Sequence, residues 1–76
     1  MNDARRKQLT EAIENIDRAI NIVIDCTDEE QEYFDNMPEG LQGSEKGDQA
    51  SETIDELVSI VDELNDLMSR IEECKA

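Results

Sequence analysis

The 76-residue sequence has no histidine and no tryptophan, and it has only one phenylalanine, one tyrosine and one proline. Without histidine, the commonest general base and transition-metal ligand is missing, and two cysteines alone do not complete a zinc site. There is also no glycine-rich phosphate loop and no nucleophile beside a plausible base. The sequence therefore predicts a protein that is not an enzyme and holds no cofactor or metal.

Long apolar runs are also missing. No run is long enough to cross a bilayer, and Arg5-Arg6-Lys7 precedes an amphipathic stretch rather than the apolar region of a signal peptide. Two cysteines are too few for a disulfide framework. We expect a cytoplasmic protein with free thiols and no membrane contact.

Two long stretches on either side of residues 36–44 have the apolar spacing of amphipathic helices, with steps of four and three residues. These positions, termed the seam, are Leu9, Ile13, Ile16, Ile20 and Val23, then Ala50, Ile54, Leu57, Val61, Leu64, Met68 and Ile71. An antiparallel fold of the chain about residues 40 and 41 places the seam positions of the first stretch opposite the seam positions of the second. The spacing predicts one all-α domain, 1–76, an antiparallel helical hairpin with helix 1 over about 3–35, a bend over 36–44 and helix 2 over about 45–74.

The bend contains the only proline. Pro38 disfavours helical geometry at Met37, so helix 1 is expected to end near Asp35 or Asn36. Asn36 is then expected to cap a short turn through Glu39. This arrangement predicts one separate turn between the two long helices.

Four large apolar side chains also lie at the bend, Tyr33, Phe34, Met37 and Leu41. A polar connector needs none of them, so we expect them to cover the end of the core, with Met37 and Leu41 pointing inward. Gly40 and Gly43 are expected to supply positions where positive φ costs little.

The start of helix 2 has more than one candidate. Ser44 is a good N-cap residue, but a start there places Gly47 inside the helix, at a cost of about 1 kcal/mol. Asp48 and Ser51 are the alternative caps. We favour Ser44, because it makes the two helices nearly equal in length.

A second apolar stripe lies one residue before the seam in each heptad and widens the apolar face of both helices. This width is typical of helical bundles, so two hairpins are expected to pair into a four-helix bundle, as a homodimer or a larger assembly. The predicted oligomer interface consists of Ala12, Ala19, Cys26, Tyr33, Ile60, Leu67 and Cys74. A monomer with a partly apolar face is the alternative.

The net charge of −14 is unevenly distributed. Residues 25–56 carry twelve acidic side chains against Lys46 alone, whereas residues 1–24 are neutral overall. This acidic region is interpreted as a solvated surface, a docking surface for a basic protein, or a mimic of nucleic-acid phosphates. The partner-binding candidates are Asp28, Glu29, Glu32, Asp35, Asn36 and Gln42. A nucleotide-binding pocket is a further alternative that depends on Arg5, Arg6, Lys7 and Arg18.

The connector Tyr33-Phe-Asp-Asn-Met-Pro-Glu-Gly-Leu-Gln42, followed by Ser44-Glu45, resembles that of small acidic phage and prophage proteins of unassigned function. Those proteins look like helical hairpins and have asparagine where Gly40 stands here. The resemblance implies a phage or prophage origin and the host cytoplasm. It supplies no substrate and no active-site residue.

The sequence predicts a non-enzymatic protein–protein interaction module, acting as a small self-associating adaptor or structural protein. The alternative function is an acidic inhibitor or DNA mimic that occupies a basic, nucleic-acid-binding surface of a host protein. The expected partners are a second copy of the chain and a basic host protein, without direct contact to nucleic acid.

Overall fold

The computed structural model describes all 76 residues, which form three helices and no strand. Helix α1 spans Asp3–Asp35, the short helix α2 spans Glu39–Gln42, and helix α3 spans Glu45–Lys75. Helices α1 and α3 pack against each other in a body of 58 × 15 × 12 Å. The predicted all-α hairpin is therefore confirmed. None of the helices combines the length and apolar character needed to cross a membrane.

Helix α1 begins at a side-chain cap. The backbone N–H of Arg5 donates a hydrogen bond to Oδ1 of Asn2 at 2.8 Å, which satisfies one of the free amides of the first turn. No glycine or proline interrupts the helix before Asp35. Asn36 then ends α1, and its N–H donates to the carbonyl of Glu32 at 3.0 Å.

The register of the hairpin is visible at its open end. Nε of Arg6 donates to the carbonyl oxygen of Lys75 at 3.0 Å, and the midpoint of these two residues lies between residues 40 and 41. The guanidinium thereby satisfies a free carbonyl at the C-terminus of α3, where a cation is also favoured by the helix dipole. Residues equidistant from the bend therefore face each other across the seam.

All seam residues are buried or half-buried, with Ile20 and Ala50 the most enclosed, at 5% and 3% exposure. Two polar residues, Thr27 and Glu30, occupy seam positions of α1 and are half-buried. The Thr27 hydroxyl donates to the carbonyl of Val23 at 2.7 Å, so it needs no partner from α3. The seam predicted from spacing thus forms the contact between the helices.

The turn at the bend is not capped by Asn36, so that expectation is wrong. Asn36 retains helical geometry (φ −85°, ψ −4°) and serves as the C-cap of α1. Pro38 precedes α2 instead, and its carbonyl accepts from Leu41 N–H at 2.8 Å and Gln42 N–H at 3.1 Å. Proline suits this place because an N–H at the start of a helix has no hydrogen-bond partner within the helix, so its absence costs nothing.

Leu41 does not point inward as expected, since it is exposed, whereas Phe34 and Met37 are half-buried. The physical reason is that α2 is a single turn in which neighbouring residues point ~100° apart. Gln42 turns toward α1, so Leu41 turns away. No glycine has positive φ, so the expectation for Gly40 and Gly43 is also wrong, and the bend is built from right-handed turns.

Helix α3 begins directly after Ser44, which leaves Ser51 inside the helix. The Ser44 hydroxyl donates back to the carbonyl of Leu41 and not to an amide of α3. Gly47 is buried, and a Cβ there would overlap the carbonyl of Gln42 and lie 2.7 Å from its Cα. The glycine that disfavours an early start is therefore the one that lets α2 lie against α3.

Candidate self-association surface

The predicted interface residues lie on one side of the hairpin, termed here the stripe face. Residues seven apart on a helix point within about 20° of one another, so each stripe stays on one side of its helix. In an antiparallel pair, the positions just before the seam lie on the same side of both helices. Near the bend, one groove is lined by residues of both helices, Glu30, Tyr33, Lys46, Gln49, Ala50 and Thr53.

Several stripe-face side chains remain open to solvent in the single chain. Tyr33 is 50% exposed and Leu67 42% exposed, and both are large apolar side chains. Both cysteines are exposed and free, about 28 Å apart along the hairpin at 1.5 Å per residue. The other stripe-face members are half-buried by the adjoining seam, namely Ala12, Ala19 and Ile60.

Ile22 is a stripe-face residue that the sequence analysis missed. It is the most exposed large apolar side chain, at 63%, and it lies between Ala19 and Cys26 at spacings of three and four. The signal was therefore present as a second three-and-four pattern beside the seam. A search for residues recurring every seven positions does not find it, because the same position elsewhere in α1 is polar.

The opposite side of the hairpin has a smaller apolar feature. Ile24 and Val58 are 39% and 49% exposed, and they lie at nearly the same distance from the bend. Ile24 points about 200° away from Ile22, so it does not belong to the stripe face. The equivalent heptad positions on both helices are polar, so these two residues form an isolated pair rather than a stripe.

The acidic half of the molecule is the bend half, residues 25–56. Eleven of its twelve acidic side chains are exposed, and only Glu30 is half-buried. The chain has two ion pairs, Arg6 with Asp3 at 3.0 Å and Lys75 with Glu72 at 3.2 Å, and both lie at the open end. The acidic half consequently has no ion pair that offsets its charge.

The six partner-binding candidates differ in their surroundings. Asp28, Glu29, Glu32, Asp35 and Asn36 are exposed along the end of α1, and Oδ1 of Asp35 accepts from Nε2 of Gln31 at 2.9 Å. Gln42 is half-buried, and its Nε2 donates to the carbonyl of Phe34 at 3.1 Å. Gln42 therefore ties α2 to the end of α1.

The cations considered for nucleotide binding do not form one pocket. A shallow polar groove at the open end is lined by Asp3, Arg6, Lys7 and Thr10, and Asp3 already pairs with Arg6 there. Arg18 lies about 16 Å further along α1 and donates to the side chain of Asn15. No group of three or more cysteine or acidic side chains is arranged to hold a metal ion.

The fold and the stripe face together define a two-helix hairpin that has an uncovered apolar side and an acidic bend. The chain matches no protein-family model, no curated protein and no solved structure. Its function is therefore argued from its own surfaces.

Proposed function

We propose that this protein acts by binding other protein chains rather than by catalysis, and that it pairs with a second copy through the stripe face. Two hairpins joined in this way form a four-helix bundle, which serves as a small adaptor or structural unit. With the resemblance of the connector, we propose a phage- or prophage-encoded module that works in the host cytoplasm.

The observation that carries this proposal is the small size of the core. Only Ile20, Gly47 and Ala50 are buried among 76 residues, while several large apolar side chains remain open on one side. A chain of this length gains little stability from such a core and is usually completed by staples, metals or oligomerisation. A second copy covers the open side without any new element.

The size of the stripe face also fits a second copy. A face 58 Å long and 15 Å wide has a projected area of about 870 Å². Stable protein interfaces bury about 800 Å² on each partner. The whole side of the hairpin that carries the stripe is therefore about the size of one partner's share of a stable dimer interface.

Two isoleucines of α1 provide a matched test. Ile22→Gln changes the stripe face, and Ile24→Gln makes the same chemical change on the opposite side. Glutamine is at least as good a helix former as isoleucine, so both variants are expected to fold. The dimer dissociation constant is measured by sedimentation equilibrium.

Ile22→Gln is expected to raise the dissociation constant at least tenfold, because each dimer buries two copies of a side chain whose burial contributes about 1.5–3 kcal/mol. A tenfold change corresponds to only about 1.4 kcal/mol. Ile24→Gln is expected to leave the dimer dissociation constant nearly unchanged. Equal effects of the two variants contradict the interface, and a one-chain mass for the unaltered protein at micromolar concentration contradicts self-association.

The acidic half favours a second candidate function, an inhibitor that occupies a basic surface of a host protein. Eleven exposed carboxylates without ion pairs lie within the bend half of a 58 Å molecule. Duplex DNA carries one negative charge per about 1.7 Å of its axis, so a short acidic surface of this kind approaches its charge density.

Affinity capture from the native host separates the two candidates. One variant removes four charges at the bend, by Asp28→Asn, Glu29→Gln, Glu32→Gln and Asp35→Asn. The control removes four charges in the open half, by Asp62→Asn, Glu63→Gln, Asp66→Asn and Glu73→Gln. An inhibitor is expected to lose its captured partner when the bend charges are removed or the salt concentration is high, and to keep it when the open-half charges are removed. An adaptor is expected to keep its partner with both variants.

A further inference from the structure

We propose that the two hairpins pair head to tail, so that the acidic bend of each copy lies beside the open end of the other. This inference rests on the self-association proposed above and names its geometry. It follows from the distribution of charge along the hairpin, and the sizes of the stripe-face side chains are compatible with it.

The apolar middle of the stripe face does not choose between the two possible orientations. Ile22 and Ile60 lie nearly equidistant from the bend, close to the middle of the hairpin's length. In the head-to-tail orientation Ile22 faces its own symmetry copy, and in the head-to-head orientation, which sets α1 over α3 of the second copy, Ile22 faces Ile60. Both orientations therefore bury the most exposed isoleucine, and the ends of the hairpin decide.

Charge strongly disfavours the head-to-head orientation. Packed helices lie about 8–10 Å apart, so head-to-head pairing brings two acidic halves, each with a net charge of −11, side by side. That spacing is about one Debye length at physiological ionic strength, so the repulsion is only partly screened. Head-to-tail pairing separates the centres of the two acidic halves by about 30 Å along the axis at 1.5 Å per residue.

The open end supplies the complementary charge. Arg5 and Lys7 are exposed and make no ion pair within the chain, unlike Arg6. Arg5 lies seven residues before Ala12, so it extends the stripe toward the open end. Head-to-tail pairing brings Arg5 to the level of the bend of the second copy, where carboxylates are dense.

Side-chain size is compatible with the head-to-tail orientation. On α1 the stripe has a small side chain near the open end, Ala12, and a large one near the bend, Tyr33. Head-to-head pairing sets α1 over α3 of the second copy, so Ala12 lies near Leu67 and Tyr33 lies near Lys46 and Gln49. Head-to-tail pairing sets Tyr33 against Ala12, and facing large and small residues pack with fewer voids.

Distances between spin labels measure the orientation directly. Nitroxide labels are attached to single cysteines in a Cys26→Ser, Cys74→Ser background, at Ser59→Cys or at Ser69→Cys. Both serines are exposed on α3 and lie outside the stripe, so the labels do not enter the interface. Dipolar spectroscopy is performed at a concentration at which light scattering gives twice the mass of one chain.

Ser59 lies near the middle of the hairpin. Its two copies lie at nearly the same height along the hairpin axis in either orientation, so its label reports pairing but not orientation. Ser69 reports the orientation. Head-to-tail pairing adds an axial separation of about 30 Å between its two copies, at 1.5 Å per residue, whereas head-to-head pairing adds none. We expect a clearly longer distance for Ser69 than for Ser59.

A label at Glu73→Cys in the same Cys26→Ser, Cys74→Ser background repeats the measurement nearer the open end, at an exposed residue outside the stripe. Its expected axial separation is about 40 Å by the same helical rise. Short and equal distances at all three positions overturn the head-to-tail inference while retaining self-association. A light-scattering mass of one chain at every concentration overturns the self-association itself.

Discussion

Gly47 is the residue at which the bend has no room for a side chain. Its position inside α3 is unfavourable by helix propensity alone, where alanine would be better by about 1 kcal/mol. The close approach of the Gln42 backbone explains its presence. The atoms that a Cβ at Gly47 would meet are backbone atoms of Gln42, which cannot move away as a flexible side chain would.

Gly47→Ala is expected to lower the free energy of unfolding by about 1–3 kcal/mol, the usual range for overpacking, despite the gain in helix propensity. Gly43→Ala is the matched control, because a Cβ there meets nothing within 4 Å and φ is −88°. That control is expected to be neutral or stabilising by about 0.4–1 kcal/mol. Urea unfolding at one fixed protein concentration compares the two, and a Gly47→Ala variant as stable as the parent contradicts the close approach.

Gln42 has a structural contact, whereas Asn36 has none from its side chain. Gln42→Ala removes the hydrogen bond to the carbonyl of Phe34 and is expected to lower stability by about 0.5–1.5 kcal/mol. Asn36→Ala is expected to change stability less. Thermal unfolding measures both variants, and an unaltered midpoint for Gln42→Ala would show that this hydrogen bond contributes nothing to the bend.

At the scale of the elements, the seam of α1 has a weak section where Thr27 and Glu30 replace apolar residues. The carboxylate of Glu30 is half-buried without an ion pair, so it gains little from its position against α3. The second half of α1 is therefore held to α3 less firmly than the first half.

Glu30→Leu is expected to raise the urea midpoint by continuing the apolar seam, with a gain in stability of about 1 kcal/mol. Glu32→Leu is the control, since Glu32 is exposed and lies away from the seam. Both variants remove one negative charge, so a difference between them reports burial. Equal midpoints for the two variants would mean that the seam does not extend to residue 30.

The long helices could be predicted because their information is local and repeated. Alternating apolar spacings of three and four residues define α1 and α3, and Arg6 then meets Lys75 where the fold about residues 40 and 41 requires. Helix α2 has four residues, too few for any periodicity, so neither its cap nor the direction of Leu41 followed from pattern.

For the whole molecule, the net charge of −14 on each copy makes association electrostatically unfavourable. The dimer is expected to tighten a few-fold between about 50 mM and about 500 mM NaCl, because screening weakens this repulsion. Sedimentation equilibrium measures the trend. The four-charge bend variant should depend on salt less steeply, and a dimer that weakens with salt would mean that ion pairs between copies dominate.

The sequence by itself determined the two long helices, their antiparallel pairing and the acidic bend, since periodicity and charge are properties of the chain read in order. Only the tertiary structure decided where the bend has no room for a side chain and which of its side chains stay exposed. Gly47 is required by the backbone of Gln42, and Leu41 is left exposed instead of pointing into the core. Both facts depend on where separate elements meet in space, and a linear pattern does not contain that distance.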